Sequence, residues 1–328
     1  MSAIHAIRVA ATGGPEVLSL QTVDLAPPGP GEIRILHGAI GVNFIDTYHR
    51  TGLYPIPLPS GLGLEAAGTV EAVGDGVTDF KVGDRAAYCT GPIGAYADAA
   101  NVPAARCVPV PDGVSDAVAA AALLKGLTAE FLIRRTFPVQ PSQTVLFHAA
   151  AGGVGLIALQ WLKHIGATVI GTVGSAEKAA LVRSYGCDHV ILYRDEPVAE
   201  AVRKITGGAG VPVVYDSIGK DTLWSSLDSL SIRGLFVSFG NASGPPEPIP
   251  ALELSKRGSL FMTRPTLFHY VGTTPELRNA ARDLFQLIAD GIITVEIGAR
   301  FGLTKAGEAH RALEARATTG STVLEPGR

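Results

Sequence analysis

Two patterns of hydrophobic and polar positions divide the chain. Between Thr144 and about residue 265, short runs that are apolar throughout alternate with helical stretches, which is typical of strands buried on both faces of a parallel sheet. The predicted strands are Thr144–Phe147, Thr168–Val173, His189–Tyr193, Val211–Asp216, Leu235–Phe239 and Ser259–Thr263. Six such strands predict an α/β fold with a doubly wound parallel sheet.

Residues 1 to about 125 show the other pattern, in which short strand-like pieces are separated by turns rich in Gly and Pro. The predicted strands are His5–Val9, Glu32–Ile40, Gly68–Val73, Arg85–Tyr88 and Cys107–Pro109. This part is therefore predicted to be a small, mainly β domain. In the tail, we expect a helix capped by Thr274 that begins with Pro275 and ends at Gly291. A short helix at Lys305–Arg316 and a strand at Ser321–Leu324 follow.

The stretch Thr144–Gly166 combines a strand, a turn of small residues and an amphipathic helix. Ala149, Gly152 and Gly155 have the spacing of a G-x-G-x-x-G motif, with alanine at its first position and Gly153 as an extra glycine. The helix N-terminus offers unpaired N–H groups and a partial positive charge, and side chains larger than glycine would keep phosphates away from them. The pattern predicts a dinucleotide site, the alternative being a tight turn packed against its sheet.

The position that selects the dinucleotide carries no acid. NAD-specific sites place an Asp or Glu about 20 residues after the glycine turn, to bind the ribose 2′-OH. Counted from Gly155, that position falls at Gly174 and Ser175. Ser175 can hydrogen-bond to a 2′-phosphate, and Lys178 can neutralise it. The sequence thus favours NADP(H) over NAD(H).

Two neighbouring residues and one alternative complete this hypothesis. Arg183 is a further candidate for the phosphate, whereas Glu177 is expected to project away from the first turn of the helix. Alternatively, Ser175 is only a helix N-cap and Lys178 is a solvated surface charge.

Composition limits the classes of partner. The chain has 328 residues, which suggests about two domains. Its net charge of −3 gives no electrostatic basis for binding nucleic acid or an anionic membrane, and no apolar run reaches the length of about 18 to 20 residues that spans a bilayer. Three dispersed cysteines and an N-terminus without a signal pattern favour a cytoplasmic protein.

Several motifs together resemble one superfamily. They are G-L-E-A-A-G-x-V-x-x-V-G-x-G-V at Gly63–Val77, G-D-R at Gly83–Arg85, A-A-A-G-G-V-G at Ala149–Gly155, N-F-I-D-T-Y at Asn43–Tyr48, K-G-L-T at Lys125–Thr128, Y-D-S-I-G at Tyr215–Gly219, S-F-G-N at Ser238–Asn241 and T-R-P at Thr263–Pro265. Across its whole length the chain resembles the medium-chain dehydrogenase/reductase superfamily. Within it, the chain is similar to the zinc-independent quinone oxidoreductases, the bacterial relatives of ζ-crystallin.

This resemblance implies a domain organisation and a set of cofactor contacts. Residues 1–125 and 266–328 would form a GroES-like catalytic domain, and residues 126–265 a Rossmann NADP-binding domain. The cofactor residues that it implies are Asn43, Thr128, Phe131, Gly152, Gly153, Val154, Gly155, Gly174, Ser175, Lys178, Tyr193, Ile218, Phe239, Gly240, Asn241, Arg264 and Arg316. Because Phe131 stands where the family has a tyrosine, any phenol hydrogen bond there is lost.

One departure from the zinc-dependent alcohol dehydrogenases of the superfamily is informative. Their catalytic zinc uses a cysteine near the position of Asn43 and a Gly-His-Glu where this chain has Gly63-Leu64-Glu65. Leu64 cannot bind a metal, and Asn43 is a poor zinc ligand. We therefore expect no zinc, and reduction of an electrophilic acceptor rather than oxidation of an alcohol.

The resulting hypothesis is hydride transfer from NADPH to a quinone or a conjugated enone in a dry cleft between the domains. Asn43 and Asp46 are expected at the nicotinamide end, with Tyr48 and Tyr54 bonding or stacking on the acceptor. Alternatively, Asp46 is a structural hydrogen-bond acceptor and the tyrosines are packing residues. His49 is predicted to be a surface histidine.

Two rival functions and one assembly remain to be tested. The first rival is an enone or enoyl-thioester reductase of the same superfamily. The second is a non-catalytic binding protein, structural or specific for AU-rich RNA, against which the charge of −3 argues. The strand Ser259–Thr263 would lie at an exposed sheet edge, and edge pairing with a second copy predicts a homodimer.

Overall fold

The computed structural model describes residues 2–327, and the two terminal positions of the predicted domains lie outside this range. The chain forms two units. One runs up to Leu127 and resumes at Val271, and the other comprises Thr128–Tyr270. The strands, in chain order, are β1 (Ser2–Val9), β2 (Ser19–Leu25), β3 (Glu32–Val42), β4 (Ser60–Gly61), β5 (Glu65–Val73), β6 (Arg85–Tyr88), β7 (Ala99–Pro103), β8 (Cys107–Pro109), β9 (Thr144–Phe147), β10 (Thr168–Val173), β11 (His189–Leu192), β12 (Val211–Asp216), β13 (Leu230–Ser238), β14 (Phe261–Thr263), β15 (Ile297–Gly302) and β16 (Ser321–Glu325).

The helices vary from one turn to four turns in length. They are α1 (Phe44–Thr51), α2 (Asp116–Glu130), α3 (Gly153–Ile165), α4 (Ala176–Ser184), α5 (Val198–Ile205), α6 (Leu223–Ser229), α7 (Ala251–Lys256), α8 (Leu267–Tyr270), α9 (Thr274–Ala289) and α10 (Ala306–Glu314). A π-helical segment, Phe131–Thr136, follows α2 directly. None of the helices within residues 2–327 has the length and apolar character needed to cross a bilayer.

The unit Thr128–Tyr270 contains one parallel sheet of six strands, in the order β11-β10-β9-β12-β13-β14. The predicted α/β fold with a doubly wound parallel sheet is confirmed. Residues such as Leu146, Ile170, Val214 and Phe236 point into one buried apolar cluster, which explains why these strands are apolar throughout. The strand order reverses between β9 and β12.

The other unit is mainly β, as predicted. Its larger sheet has the order β15-β16-β3-β5-β6-β8, with β7 also paired to β3, and a smaller sheet has the order β2-β1-β4. The pairs are antiparallel except for β15 with β16. Ile33, Ile35 and Ile40 alternate into a buried core together with Val70 and Val102.

Several predicted element boundaries were wrong by a few residues, and three of them illustrate the differences. The cap of α9 is Thr273 rather than Thr274, since the Thr273 hydroxyl accepts from the Glu276 N–H and the Glu276 carboxylate accepts from the Thr273 N–H. The last strand of the parallel sheet starts at Phe261 because Ser259 has a left-handed φ of 57°. The helix predicted to reach Arg316 ends at Glu314.

Candidate active site

The predicted cofactor residues of the unit Thr128–Tyr270 mostly gather at one edge of the parallel sheet. They directly follow the carboxyl ends of the strands: Gly152–Gly155 after β9, Gly174 and Ser175 after β10, Tyr193 after β11, Ile218 after β12, Phe239–Asn241 after β13 and Arg264 after β14. In open α/β sheets, ligands bind outside the carboxyl ends of the strands, where the strand order reverses. The geometry therefore defines a nucleotide-type site.

The turn after β9 leads into the N-terminus of α3, where three of four successive residues are glycines without side chains. Gly152 is the N-cap of α3 and, as a glycine, has no side chain that could cap the helix. A Cβ at Gly155 would clash with the carbonyl oxygen of Ala150 and lie 2.7 Å from that of Ala149, so only glycine permits this close packing. The exposed N–H groups and the helix dipole form a cradle that fits a pyrophosphate.

Ala149 shows what the missing first glycine changes. Its φ is 51°, which is the left-handed region that favours glycine. The backbone of the G-x-G-x-x-G turn is therefore kept although the glycine is replaced. The turn carries the strain of an L-residue in this region, on the order of 1 kcal/mol.

Gly174, Ser175 and Tyr193 lie together at the ends of β10 and β11. A Cβ at Gly174 would lie 2.6 Å from the Tyr193 hydroxyl oxygen, which places the phenol directly over this glycine. Ser175 is the N-cap of α4, and its Oγ accepts from the Lys178 N–H at 3.3 Å. Ser175 is therefore an N-cap, and its predicted contact with a phosphate stays a prediction.

The structure bears on two expectations about α4. Glu177 does not project away, because its Oε2 accepts a hydrogen bond from the Ser175 Oγ at 3.1 Å. Arg183 lies in the last turn of α4, about 10 Å along the axis from the N-terminus at 1.5 Å per residue. Arg183 is therefore poorly placed for a group bound beside Ser175.

A buried network that the sequence did not reveal supports the end of β12. Asp216 accepts from the N–H groups of Ile218 at 2.7 Å and Gly219 at 3.1 Å through Oδ1, and from the Ser226 hydroxyl at 2.6 Å through Oδ2. His148 bridges Ser226 and Thr172 at 3.0 Å on each side. These residues, which lie on β10, β12, α6 and the turn after β9, fix the position of Ile218.

Arg264 holds the loop after β13. Its Nη1 donates to the Ser238 Oγ at 2.9 Å and to the Gly240 carbonyl at 2.8 Å. With its amide in the orientation that satisfies both neighbours, Asn241 donates to the Gly240 carbonyl at 2.8 Å and accepts from Arg264 at 3.2 Å. Arg264 therefore shapes the segment Phe239–Asn241, and its direct contact with a cofactor stays a prediction.

Thr128 and Phe131 are not at a strand end. Thr128 is buried in α2, and Phe131 begins the π-helical segment with 1% of its surface exposed. The Phe131 ring stacks on Tyr270, with 4.5 Å between the ring centroids. Their predicted contact with the cofactor stays untested.

Asn43, on the other unit, is tied to a buried ion pair. It lies at the N-cap of α1, and its Nδ2 donates to the Glu65 Oε2 at 2.8 Å. The same Glu65 oxygen is 3.2 Å from the Lys125 ammonium, and Oε1 accepts from the Leu124 N–H at 2.6 Å. Glu65 and Lys125 thus balance each other's charge beside Asn43.

Asp46 is completely buried one turn further along α1. Its Oδ2 accepts from the Asn43 N–H at 2.8 Å and from the Tyr96 hydroxyl at 2.9 Å. Its Oδ1 has no hydrogen-bond partner within residues 2–327. Burial, opposed by these two hydrogen bonds, raises the pKa of Asp46 to about 7. Asp46 thus accepts two hydrogen bonds, and a pKa of about 7 places its change of charge near neutral pH.

Tyr48 and Tyr54 form an edge-to-face pair, with 5.1 Å between their ring centroids. Tyr48 is 8% exposed and Tyr54 is half-buried. The prediction of a surface histidine at position 49 was wrong: His49 is 8% exposed, its ring lies 6.4 Å from that of Tyr54, and burial lowers its pKa. The C-terminal half of α1 thus packs inward.

Arg316 follows the end of α10 in a left-handed conformation, with a φ of 57°, and it is exposed. It lies on the unit that contains Asp46, not on the unit with the parallel sheet. Its contact with the cofactor, implied by the family resemblance, stays a prediction.

The residues at the expected zinc position do not fit a zinc ion. Leu64 offers no donor atom, Asn43 donates to Glu65, and the same Glu65 oxygen accepts from the Lys125 ammonium. A tetrahedral site needs three or four N, S or O ligands around an open centre. In the part of the chain that the structure describes, no group of three His, Cys, Asp or Glu side chains is arranged to hold a metal.

Comparison with known proteins agrees with this geometry. Residues 29–112 match the alcohol dehydrogenase GroES-like domain family, and residues 153–290 match the zinc-binding dehydrogenase family. A quinone oxidoreductase of Pseudomonas aeruginosa is 54% identical over 98% of this chain and 99% of its own. A 2-haloacrylate reductase of a Burkholderia species is 47% identical over 96% of both chains. The structure of Escherichia coli quinone oxidoreductase complexed with NADPH matches with a TM-score of 0.97 and 49% identity, over 98% of this chain and all of that one.

A GroES-like unit and a doubly wound nucleotide-binding unit define the class, the medium-chain dehydrogenases/reductases. The identity to several quinone oxidoreductases extends over nearly the whole chain. The chain belongs to the quinone oxidoreductase family of that superfamily, as its motifs predicted.

Proposed function

We propose that this chain reduces quinones, or similar electrophilic acceptors, with NADPH and without zinc. The observation that carries the proposal is a pair of features in one chain. The parallel sheet ends in an edge where a glycine turn leads into a helix N-terminus, and Glu65, beside the leucine that replaces the zinc-binding histidine of alcohol dehydrogenases, is paired with Lys125. A quinone carries its own electron sink, so its reduction needs no Lewis acid to stabilise an alkoxide.

The cofactor is NADP(H), which supplies the hydride when bound. Gly152, Gly153, Val154 and Gly155 would hold its pyrophosphate at the N-terminus of α3. This assignment is supported by the clash that a Cβ at Gly155 would make with the turn.

Ser175, Lys178 and Tyr193, next to Gly174, would surround the 2′-phosphate. Because Gly174 and Ser175, at the position where NAD-specific sites have an acid, carry no carboxylate for a ribose 2′-OH, these groups favour the phosphorylated dinucleotide. The Glu177 carboxylate lies close by and is bonded to Ser175. Arg316 would reach the phosphate end, and Phe239, Gly240 and Asn241 would lie near the nicotinamide ribose. The other proposed cofactor contacts are Thr128, Phe131, Ile218 and Arg264. The domain bounds expected from sequence, 1–125 with 266–328 and 126–265, remain part of this proposal and differ by a few residues from the two units of the structure.

Asn43, Asp46, Tyr48 and Tyr54 would form the acceptor side. The paired rings of Tyr48 and Tyr54 offer a face on which a quinone ring can stack and hydroxyl groups that can bond its oxygens. Asn43, fixed by Glu65, would orient the acceptor or the nicotinamide amide. Alignment of two bound molecules is then the main contribution of the protein.

The test is NADPH oxidation with 1,4-benzoquinone in buffer that has been treated with a chelator. We expect turnover that is unchanged by the chelator and by added zinc, and that is slower with NADH. If the purified protein fails to oxidise NADPH with any quinone, or does so only after zinc is added, the proposal is wrong.

Reduction of an activated carbon–carbon double bond is the second candidate. The similarity to a 2-haloacrylate reductase, at 47% identity, favours it specifically. Rates with 1,4-benzoquinone are therefore compared with those for 2-chloroacrylate and crotonyl thioesters. A strong preference for the thioester or the acrylate would replace the quinone assignment by this one. A salt-dependent shift assay with AU-rich RNA tests the non-catalytic alternative.

We also propose a homodimer that forms through β14 in the cytoplasm. β14 is an edge of the six-stranded sheet, and its Phe261 and Met262 are 61% and 41% exposed. Phe261→Asp is expected to give a monomer in light scattering, whereas Val82→Asp, at an equally exposed apolar residue of the other unit, is the control. A monomeric wild type would contradict the dimer. The three cysteines are free and buried, which is compatible with a reducing compartment.

A further inference from the structure

Behind Asp46 lies a continuous chain of buried polar side chains, which we call the Asp46 chain. Tyr96 Oη is 2.9 Å from the Asp46 Oδ2 and 3.0 Å from the His310 Nε2. The His310 Nδ1 is 3.0 Å from the Arg50 Nη1, and Arg50 forms a bidentate ion pair with Glu314 at 2.6 and 3.0 Å. Asp46, Tyr96, His310 and Arg50 are all at most 1% exposed.

Arg50 fixes the direction of every hydrogen bond in this chain. A guanidinium only donates, so the His310 Nδ1 must accept, and the single proton of a neutral imidazole is on Nε2. The Nε2–H then donates to the Tyr96 oxygen, and the Tyr96 O–H is directed to the Asp46 Oδ2. Burial and the charge of Arg50 lower the pKa of His310 to about 3, which keeps the imidazole neutral at working pH.

The donor and acceptor directions of these hydrogen bonds determine which oxygen of Asp46 can carry a proton. Its Oδ2 accepts two hydrogen bonds, from Tyr96 and from the Asn43 backbone, and is therefore a poor proton site. The Oδ1 atom forms no hydrogen bond with any described residue. A proton on Asp46 is thus confined to Oδ1.

We propose that Asp46 is the group whose ionisation turns the reductase off on the alkaline side, and that Tyr96 and His310, oriented by Arg50, are positioning residues that fix its protonated form. The inference rests on the proposed function, in which Asp46 lies at the acceptor side. An acceptor that gains a hydride gains negative charge. A neutral Asp46 does not repel this negative charge, whereas an ionised, buried Asp46 carboxylate does.

The charged groups around Asp46 favour a titration near neutral pH. Full burial is the largest effect and raises the pKa of Asp46, and the negative charge of Glu65 raises it further. The hydrogen bonds from Asn43 and Tyr96 and the charge of Lys125 lower it. Tyr96 stays protonated in this range, because burial and Asp46 raise its pKa well above the usual value.

The first experiment measures kcat/KM for 1,4-benzoquinone from pH 5 to pH 9, with full-length protein and saturating NADPH. The wild type is expected to lose activity above about pH 7, where Asp46 ionises. Asp46→Asn, which cannot ionise, is expected to show no such alkaline loss, whatever its absolute rate. An Asp46→Asn profile with the wild-type alkaline loss would overturn the inference.

A second measurement does not depend on turnover. Infrared difference spectra between pH 5 and pH 9 should contain the C=O stretch of a protonated carboxyl group that titrates near pH 7 and is absent in Asp46→Asn. If this band is missing from the wild type, Asp46 is already ionised and the inference is wrong. If quinone is not reduced at any pH while the band is present, the proposed function fails and the assignment of the Asp46 proton stands.

The role of Tyr96 is tested with Tyr96→Phe. This change removes a hydrogen bond to the carboxylate, so both the alkaline loss and the infrared transition should move up by about one to two pH units. Tyr88→Phe is the matched control, since Tyr88 is equally buried and hydrogen-bonds to His37 at 3.1 Å but not to a carboxylate. An unchanged Tyr96→Phe profile, or the same shift in Tyr88→Phe, would contradict a positioning role.

Discussion

Each unit buries a carboxylate that is linked through a hydroxyl to a histidine. The two clusters differ in whether the second carboxylate oxygen has a hydrogen-bond partner among the described residues. Asp216, with Ser226 and His148, has partners on both carboxylate oxygens. Asp46, with Tyr96 and His310, has partners on one oxygen only. A fully satisfied buried network fixes a structure, whereas a half-satisfied carboxylate in a dry site can take up a proton.

The comparison assigns different tasks to similar side chains. The Asp216 network holds the Ile218 loop at the carboxyl edge of the parallel sheet, where a rigid frame suits a dinucleotide. The Asp46 chain leaves one oxygen free on the unit that carries the candidate acceptor residues. Four sets of substitutions test this difference.

Removing Asp216 should be the most damaging change. Asp216→Ala leaves the Ile218 and Gly219 N–H groups and the Ser226 hydroxyl without an acceptor, which we expect to lower the free energy of unfolding by about 3 to 5 kcal/mol. Urea unfolding measures this loss, and fluorescence titration should show weaker NADPH binding. Asp195→Ala, at an exposed aspartate of the same unit, is the control. A loss below about 1 kcal/mol would mean that the network is not a structural frame.

Asp46→Asn should raise the free energy of unfolding at alkaline pH, whereas Asp216→Ala should lower it. A pKa raised from 3.8 to about 7 means that wild-type stability is fully present below pH 4 and is lost as the pH rises towards 7. Asp46→Asn removes this loss, so relative to the wild type it should gain up to about 4 kcal/mol between pH 4 and pH 8. Urea unfolding at the two pH values measures the gain. A difference that does not depend on pH would show that Asp46 does not titrate on folding.

The phosphate cradle is tested by alanine at two glycines that lie three residues apart, Gly152 and Gly155. Gly155→Ala must displace the turn at Ala149 and Ala150, and an overpacking of this kind costs about 1 to 3 kcal/mol in stability together with NADPH affinity. At Gly152 a Cβ would meet no atom closer than 3.3 Å, so Gly152→Ala should fold normally and lose only affinity. Equal unfolding midpoints and equal NADPH affinities for the two variants would contradict the cradle.

Lys178→Ala should produce the smallest effect. Loss of one charge-assisted contact to the 2′-phosphate is expected to weaken NADPH about tenfold and to leave NADH unchanged. Glu177→Gln is a useful companion, because it removes the carboxylate that accepts from Ser175 and should strengthen NADPH binding. Equal losses of NADPH and NADH in Lys178→Ala would mean that this lysine does not recognise the phosphate.

Local pattern was enough for the parallel sheet and its edge. Continuous apolar runs at Thr144–Phe147 and Val211–Asp216 are strands because both faces of the sheet are covered. The boundaries that failed depended on single backbone angles or caps, such as the φ of 57° at Ser259 and the capping box of Thr273. Sequence periodicity does not encode these features.

The amino-acid sequence alone was enough to predict the fold class, the glycine turn, the lack of an acid at Gly174 and Ser175, and the family. Each of these depends on residues close together in the chain or on motifs taken jointly. Only the tertiary structure revealed the partners of Asp46. Tyr96 lies 50 residues from Asp46, and His310 lies 214 residues from Tyr96. The burial of an aspartate, and the choice of which of its oxygens stays free, result from chain segments that meet only after folding, so no local pattern of residues could have shown them.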